Sequence, residues 1–580
     1  MLLAEHYITL LLSLPNPEPG ETLSIGVEEV ARKLRCTPRN ANLLLKRMAQ
    51  QGLVAWQPGV GRGNRSKLTV QADLSQALPP HFDHLLRRGD VDRAAAFLRD
   101  DRVPEPVREQ LHAAFRDQFG LRAETHADRP RDVLKMPLPY KVGSLDPAHL
   151  LWVTESWVSR QVFDTPVRFD PESQSVLPHV AHAWDASHDF TEWVLHLRKG
   201  VRFHHGKSVV SGDIVRSLQR LANSPAGWLV HGVRSVDTLG DYAVRFKLDG
   251  PNLLFLHLLA HASAAILPGD LSWDDRKIVG TGPFRVAQRS DSIFVLEAYD
   301  AYFRGRPLLD RVELWTVPPD AMLRHYQVGT GDAGRPMAAG TEHYVLEQGC
   351  QFLAFDYRHP GPQHDPAFRR AIRMALDRVS WVRELGGERI APASGFSPRR
   401  SNLVPWSEAS LDEALSLLDR SVYRGETLHL YYKPTPEATR DAGWVVKRCR
   451  AIGVRVTPHP LAAGTDAEPP ATLLLQVETF GSDQAVSFVQ MLAQEGSAVH
   501  RNLATRWADE LSHFRDRLYA APGAAERDEV AEAFEHWLED DCKLLCNYHV
   551  SKRVGTPTAL QGFQTADFGL PDLRRLWIRP

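Results

Sequence analysis

A chain of 580 residues, 43% hydrophobic and 24% charged, can bury a sizeable core and is long enough for two or more domains. Its formal net charge of −2 excludes a uniformly basic surface, so any affinity for nucleic acid has to come from a local patch. No apolar run reaches the roughly 18 residues of a membrane span, and five cysteines, an odd and sparse set, do not read as a disulfide framework. The expected compartment is the reducing cytoplasm. Residues 1–14 are apolar, but they carry Glu5 and His6 and lack a basic leader and a small-residue cleavage site; they read as a helix.

Residues 1–72 follow the order helix, helix, helix, strand, loop, strand. Pro15, Pro17, Pro19 and Gly20 separate the first helix from a second, in which Val27, Val30, Ala31 and Leu34 recur at i, i+3, i+4, i+7. Thr37 is a good N-cap and Pro38 suits the first helical position, so a third helix opens there and runs to about Gln51, before Gly52. Beyond it, Leu53 to Gln57 and Ser66 to Val70 flank a Gly-rich loop and read as a β-hairpin, the wing of a winged helix-turn-helix.

In the third helix Ala41, Leu44, Leu45 and Met48 form one apolar stripe. The other faces hold Arg39, Asn40, Asn42, Leu43, Lys46 and Arg47; Arg matches guanine and Asn matches adenine bidentately. Between Val27 and Val70 stand nine basic residues against two acidic ones, a local +7 that the whole-chain charge conceals. The expected DNA-contacting set is Thr37, Arg39, Asn40, Asn42, Leu43, Lys46 and Arg47 with Arg62, Asn64, Arg65 and Lys67 of the wing. The bland alternative is a winged helix used only for protein contacts.

From 73 to 125 the pattern is helical and charged, interrupted at Pro79-Pro80 and at Pro104 to Pro106, and it reads as a helical connector. A polar stretch at 126–135 reads as a linker, and 136–580 as a mixed α/β region with strands such as Ala243 to Leu248 and Gln351 to Phe355 and helices such as Ala367 to Asp377.

Several chemical motifs are weighed and set aside. Gly200 to Ser208 resembles a phosphate loop, but five residues separate its glycines where four are needed. His204-His205, His179 and His182 lack a converging Cys or carboxylate set. Cys542, Cys546 and His549 have a spacing a metal uses, but i, i+4 cysteines on an apolar helix face are ordinarily core. No nucleophile signature occurs, so neither enzyme activity, nor a catalytic residue, nor a cofactor is expected.

The blocks Leu177 to Trp184, Thr191 to Gly206, Ser211 to Val215, Gly280 to Val286 and Phe368 to Arg378 resemble, in order and spacing, the signature of family-5 extracellular solute-binding proteins. Joined to a winged helix, and with Gln561-Gly562-Phe563 and Leu573 to Trp577 near its end, the chain is similar to the SgrR family of regulators. That resemblance implies a small α+β winged-helix domain followed by a large two-lobed α/β domain of the type II periplasmic-binding-protein kind. It also implies an operator in duplex DNA and a small-molecule ligand such as a sugar, a sugar phosphate or a peptide. The Ala-Asp-Tyr segment of peptide receptors has its nearest counterpart in Gly481 to Gln484, with poor spacing to Phe488. The expected cleft residues are Trp152, Glu155, Trp157, Phe355, Asp356, Tyr357, Phe480 and Asp483. The rival reading is a solute-binding protein of an ABC transporter with a degenerate N-terminus.

Overall fold

The computed structural model describes residues 3–15, 17–59, 65–126, 129–150, 152–317, 340–406, 408–461, 472–564 and 567–579. At the N-terminus α1 (Leu3–Leu12), β1 (Thr22–Ser24), α2 (Val27–Lys33), α3 (Pro38–Gln50), β2 (Val54–Gln57) and β3 (Lys67–Val70) follow in order. The strands form a small antiparallel sheet ordered β1-β3-β2. The periodic residues of α2 and α3 supply its cover: Val30, Ala31, Leu45 and Met48 are buried with Leu68 and Val70 of the sheet. The Tyr7 hydroxyl donates to the carbonyls of Leu53 and Ala72 and ties α1 to both ends of the wing.

The segment read as a connector is helical only as far as Arg116: α4 (Leu74–Arg87), α5 (Val91–Leu98) and α6 (Glu105–Arg116). Helix α4 runs through Pro79 and Pro80, where an interruption was expected. Each proline removes a donor from the helical ladder, but Asp73 caps the start and Leu74, Leu78, Phe82 and Leu85 hold the helix by a buried stripe. The expected linker at 126–135 is a correction of another kind. Strand β4 (Gly120–His126) pairs antiparallel with β5 (Arg129–Leu138), which pairs in parallel with Arg311–Thr316, so this polar stretch is sheet. Its partner lies far along the chain, which a local polarity reading does not detect.

After β5 come α7 (Val153–Val162), the hairpin β6 (Val167–Asp170) and β7 (Ser175–Pro178), then β8 (Ala181–Ala186), β9 (Glu192–Leu197), α8 (Ser211–Gln219), β10 (Val233–Thr238) and β11 (Ala243–Leu248). Strands β8 to β11 form an antiparallel sheet ordered β10-β11-β9-β8, in which Val244, Phe246 and Leu248 alternate inward. Next β12 (Phe284–Arg289), β13 (Ile293–Ala298) and β14 (Arg311–Thr316) complete a five-stranded sheet with β5 and β4, ordered β12-β13-β14-β5-β4. The final sheet contains β15 (Gly340–Leu346), β16 (Gly349–Phe355), β17 (Arg389–Pro392), β18 (Thr427–Tyr432), β19 (Arg455–Pro460), β20 (Leu473–Thr479) and β21 (Leu544–Pro557). Every residue of β16 is buried, as expected of a strand covered on both faces.

The Gly280-Thr281-Gly282 block has a packing reason. A Cβ on Gly280 would lie 2.0 Å from the Val162 carbonyl oxygen and one on Gly282 2.5 Å from the Val162 carbonyl carbon, so only glycine lets this turn sit against the end of α7.

Candidate nucleic-acid interface and ligand cleft

Helix α3 begins where Thr37 predicts: its hydroxyl oxygen accepts from the Asn40 backbone N–H at 3.3 Å, with Pro38 at the first helical position. Ala41, Leu44, Leu45 and Met48 are buried, which turns Arg39, Asn40, Leu43, Lys46 and Arg47 to the exposed side and leaves Asn42 half-buried between them. Leu43 is 48% exposed, an apolar side chain standing among cations and amides. From the wing, Arg65 and Lys67 are exposed, whereas Arg62 and Asn64 lie outside the described residues. Arg39, Lys46, Arg47, Arg65 and Lys67 form no ion pair among the described residues. Lys33, counted in the basic patch, is engaged elsewhere: its ammonium donates to the Ser13 carbonyl at 2.6 Å. Strand β1 went unread in the sequence because it is only Thr22–Ser24, without an apolar alternation; it exists through pairing with β3.

The residues named for the cleft divide sharply. Trp157 is 1% exposed and donates from its indole nitrogen to the Pro571 carbonyl at 2.8 Å; Glu155 is buried and accepts from the Gly143 N–H at 2.7 Å. Phe355 is buried in the core, Tyr357 is buried with its hydroxyl on the Lys543 carbonyl, and Asp356 is buried and held by the Arg358 guanidinium at 2.9 and 2.7 Å. Phe480 packs against Phe396 with ring centres 5.5 Å apart. These six side chains hold the lobes together internally, and the large apolar residues among them looked like cleft candidates only because burial in a core and lining of a cleft use the same residue types. Asp483 caps the helix Gln484–Ala493 and accepts from His257 Nδ1 at 2.6 Å, so its carboxylate joins two elements.

Trp152 stands apart, 55% exposed at the start of α7. The Lys433 ammonium, just beyond β18, lies 3.9 Å from its ring centre and bridges from the seven-stranded side of the molecule to the five-stranded side. Glu478 on β20 shares this corner: burial pushes its carboxyl up to about 7, with the Lys433 ammonium holding it back. Burial likewise lowers Lys433, with Glu478 opposing. Sequence reasoning missed both residues. The available signal was faint, a charged residue closing each of two strongly apolar strands, Leu428 to Lys433 and Leu473 to Glu478.

Of the histidine and cysteine candidates, His182 is exposed, whereas His204, His179 and His549 are tied into the fold by hydrogen bonds. Burial pushes His204 down to about 4, and its two ring nitrogens meet the Gly280 N–H and the Gly282 carbonyl. His179 faces Asp164 at 2.8 Å. Cys546 and His549 are in strand β21 and Cys542 is in the turn before it, which corrects the helical reading; His549 contacts the Gly349 carbonyl and the Ser401 hydroxyl. No cluster of three or more metal-ligating side chains occurs among the described residues.

Two family models match this arrangement: residues 175–488 match the bacterial extracellular solute-binding proteins, family 5 Middle, and residues 3–118 match the sugar transport-related sRNA regulator N-term. The chain belongs to the family-5 solute-binding proteins, in the SgrR-type regulator branch. It is similar to the uncharacterized protein YhjP of Bacillus subtilis, 28% identical over 587 residues and the full length of both chains. The HTH-type transcriptional regulator SgrR of Yersinia enterocolitica is 28% identical over 393 residues, 66% of each chain. Among solved structures, the oligopeptide-binding protein AppA of Bacillus subtilis matches with a TM-score of 0.65 at 18% identity, covering 78% of this chain and 100% of that one. A dipeptide-binding protein of Pseudoalteromonas matches with a TM-score of 0.68 at 17% identity, covering 77% and 100%. These likenesses to binding proteins establish the two-lobed α/β fold. In this SgrR-type regulator no helix among the described residues is long and apolar enough to cross a membrane.

Proposed function

We propose that this regulator reads an operator in duplex DNA through α3 and its wing and senses a small molecule, bound without chemical change, in the cleft beside Trp152. The observation that carries the reading is the division of α3: an apolar stripe spent on its own core, and Arg39, Asn40, Leu43, Lys46 and Arg47 turned outward without carboxylate partners among the described residues. Arg39, Asn40 and Asn42 are suited to base edges, and Lys46, Arg47, Arg65 and Lys67 to phosphates. A chain that meets DNA in this way works in the cytoplasm. The rival reading, an importer's binding protein with a degenerate N-terminus, leaves the capped recognition helix and the three-stranded wing sheet without a role.

The ligand is a compound that binds beside the Trp152 ring and the Lys433 and Glu478 side chains, drawn from sugars, sugar phosphates and peptides. Selection of duplexes from a randomised pool by the full chain, followed by competition against random DNA, tests the first half: an enriched sequence is expected, and equal affinity for all sequences would refute it. A thermal-shift screen of the full chain against the three ligand classes tests the second half. A ligand at 100 times its Kd stabilises by about 2.7 kcal/mol, and mass spectrometry that found the hit chemically converted would overturn the sensing role.

A further inference from the structure

The sheet ordered β12-β13-β14-β5-β4 is covered on both faces, and the alternation along its strands assigns the covers. On β13 and β14, Phe294, Leu296, Val312 and Leu314 point into a core shared with Trp157 of α7 and with Leu573 and Leu576 near the C-terminus. Ile293, Val295, Trp315 and the following Val317 point the other way, into the core of the N-terminal unit with Phe82, Leu111 and Phe115. Among the described residues, none of 340–550 enters that second core. The winged helix and α4 to α6 are therefore a layer of the lobe and not an appendage.

Trp315 is the centre of the seam. It is 3% exposed, its ring lies 5.2 Å from Phe115 and 5.7 Å from Phe119, and those two rings are 5.4 Å apart. Its indole nitrogen donates to Glu313 at 2.9 Å, and Arg311 holds the same carboxylate at 2.7 Å, so the ring's orientation is fixed from the sheet side. Arg99 of the helical unit reaches the Ser292 hydroxyl at 3.4 Å. The backbone makes a second attachment: after residues 117–119 the chain leaving α6 becomes β4 and pairs along its length with β5. The contacts toward the seven-stranded sheet are of a different kind, local pairs such as Lys433 over Trp152 and the stacked rings of His343 and Phe563, 4.4 Å apart, whereas the four-stranded sheet is tied to the five-stranded lobe by His204 at Gly280 and Gly282.

We propose that the winged helix and the five-stranded lobe move as one body fixed by Trp315, so that a ligand signals by moving the seven-stranded body against a DNA-anchored frame and not by turning the winged helix. Close-packed interiors resist continuous deformation, and a layer tied by both an aromatic seam and a strand pairing lacks a pivot. The inference rests on the sensing role proposed above, but its test reads geometry and needs no ligand.

Spin labels are placed at Gln50→Cys on α3, Ala287→Cys on β12 and Leu415→Cys in the helix Leu411–Asp419, pairwise, in a full chain carrying Cys36→Ser. Double electron–electron resonance is then recorded for the free protein, with a randomised duplex, and with Trp152→Ala and Lys433→Ala added to remove the bridge. The 50–287 distance is expected to keep one narrow peak in all three, while the 287–415 distance broadens or lengthens when the bridge is removed. A broad or displaced 50–287 peak in any of the three states overturns the inference, whether or not the duplex binds. Trp315→Ala is expected to broaden the 50–287 peak, and Phe119→Ala, milder because Phe119 is only half-buried, to broaden it less; an unchanged width in both variants overturns the role given to Trp315. Loss of duplex binding with the narrow peak intact would instead count against the DNA-reading function alone.

Discussion

Glu478→Gln isolates the electrostatics of the cleft corner. In the folded chain burial moves this carboxyl from its ordinary value of 4.5 to about 7, against the pull of Lys433. Between those two values the folded state holds a proton that the unfolded state has released, so stability falls as pH rises through this window. The loss is complete above the folded value. At about 1.4 kcal/mol per pH decade the displacement corresponds to roughly 3 kcal/mol, which glutamine escapes because it stays neutral. The wild type and Glu478→Gln should thus differ little near pH 4.5, and the variant should gain steadily to about pH 7 and hold a constant advantage above it. Thermal melts of the full chain from pH 5 to 8.5 at fixed ionic strength measure this as a difference of several degrees at the alkaline end. A difference that does not vary with pH would refute the assignment of a buried, proton-holding carboxyl to this corner.

Arg39→Ala should relax preference at one base position at a cost of about 1–3 kcal/mol, measured by competition between the selected duplex and its single-base variants. Arg65→Ala with Lys67→Ala should weaken binding to all sequences alike and lower the salt slope by about 0.9 for each phosphate that is no longer neutralised, read from anisotropy titrations. Thr37→Ala removes the hydroxyl that caps α3 and should cost about 1 kcal/mol of stability in denaturant melts, with Thr37→Asn restoring most of it.

The recognition helix was legible in the sequence because everything that specifies it is local: a cap, a proline at the first position, a stripe of 3.6 period and a glycine stop. The two strands of the wing were legible for the same reason. Strands whose partners are distant were not. Arg129, Arg131, Asp132 and Lys135 give residues 129–138 the polarity of a linker, yet they form an inner strand of a sheet through parallel pairing with Arg311–Thr316. The family blocks pointed to the fold correctly, and Gly280 and Gly282 show why: each is fixed by a backbone approach that excludes a side chain. The cleft was the least legible part. Of the eight residues named for it, Trp152 is the one left exposed, while Lys433, just beyond β18, and Glu478 on β20 had no shared local pattern to announce them.

The shared face of the five-stranded sheet also sets an order for synthesis. The last residue that the N-terminal core requires is Val317, whereas β21, which pairs with three other strands of the seven-stranded sheet, spans Leu544–Pro557 and emerges from the ribosome much later. The other face of the same sheet waits longer still, for Leu573 and Leu576. A growing chain thus assembles its N-terminal core against one side of a sheet whose opposite side, covered early by α7, lacks its last two buried leucines until translation is nearly complete. A message broken late in its coding region would leave a product that holds every residue of the winged-helix core and lacks strand β21 of the seven-stranded sheet.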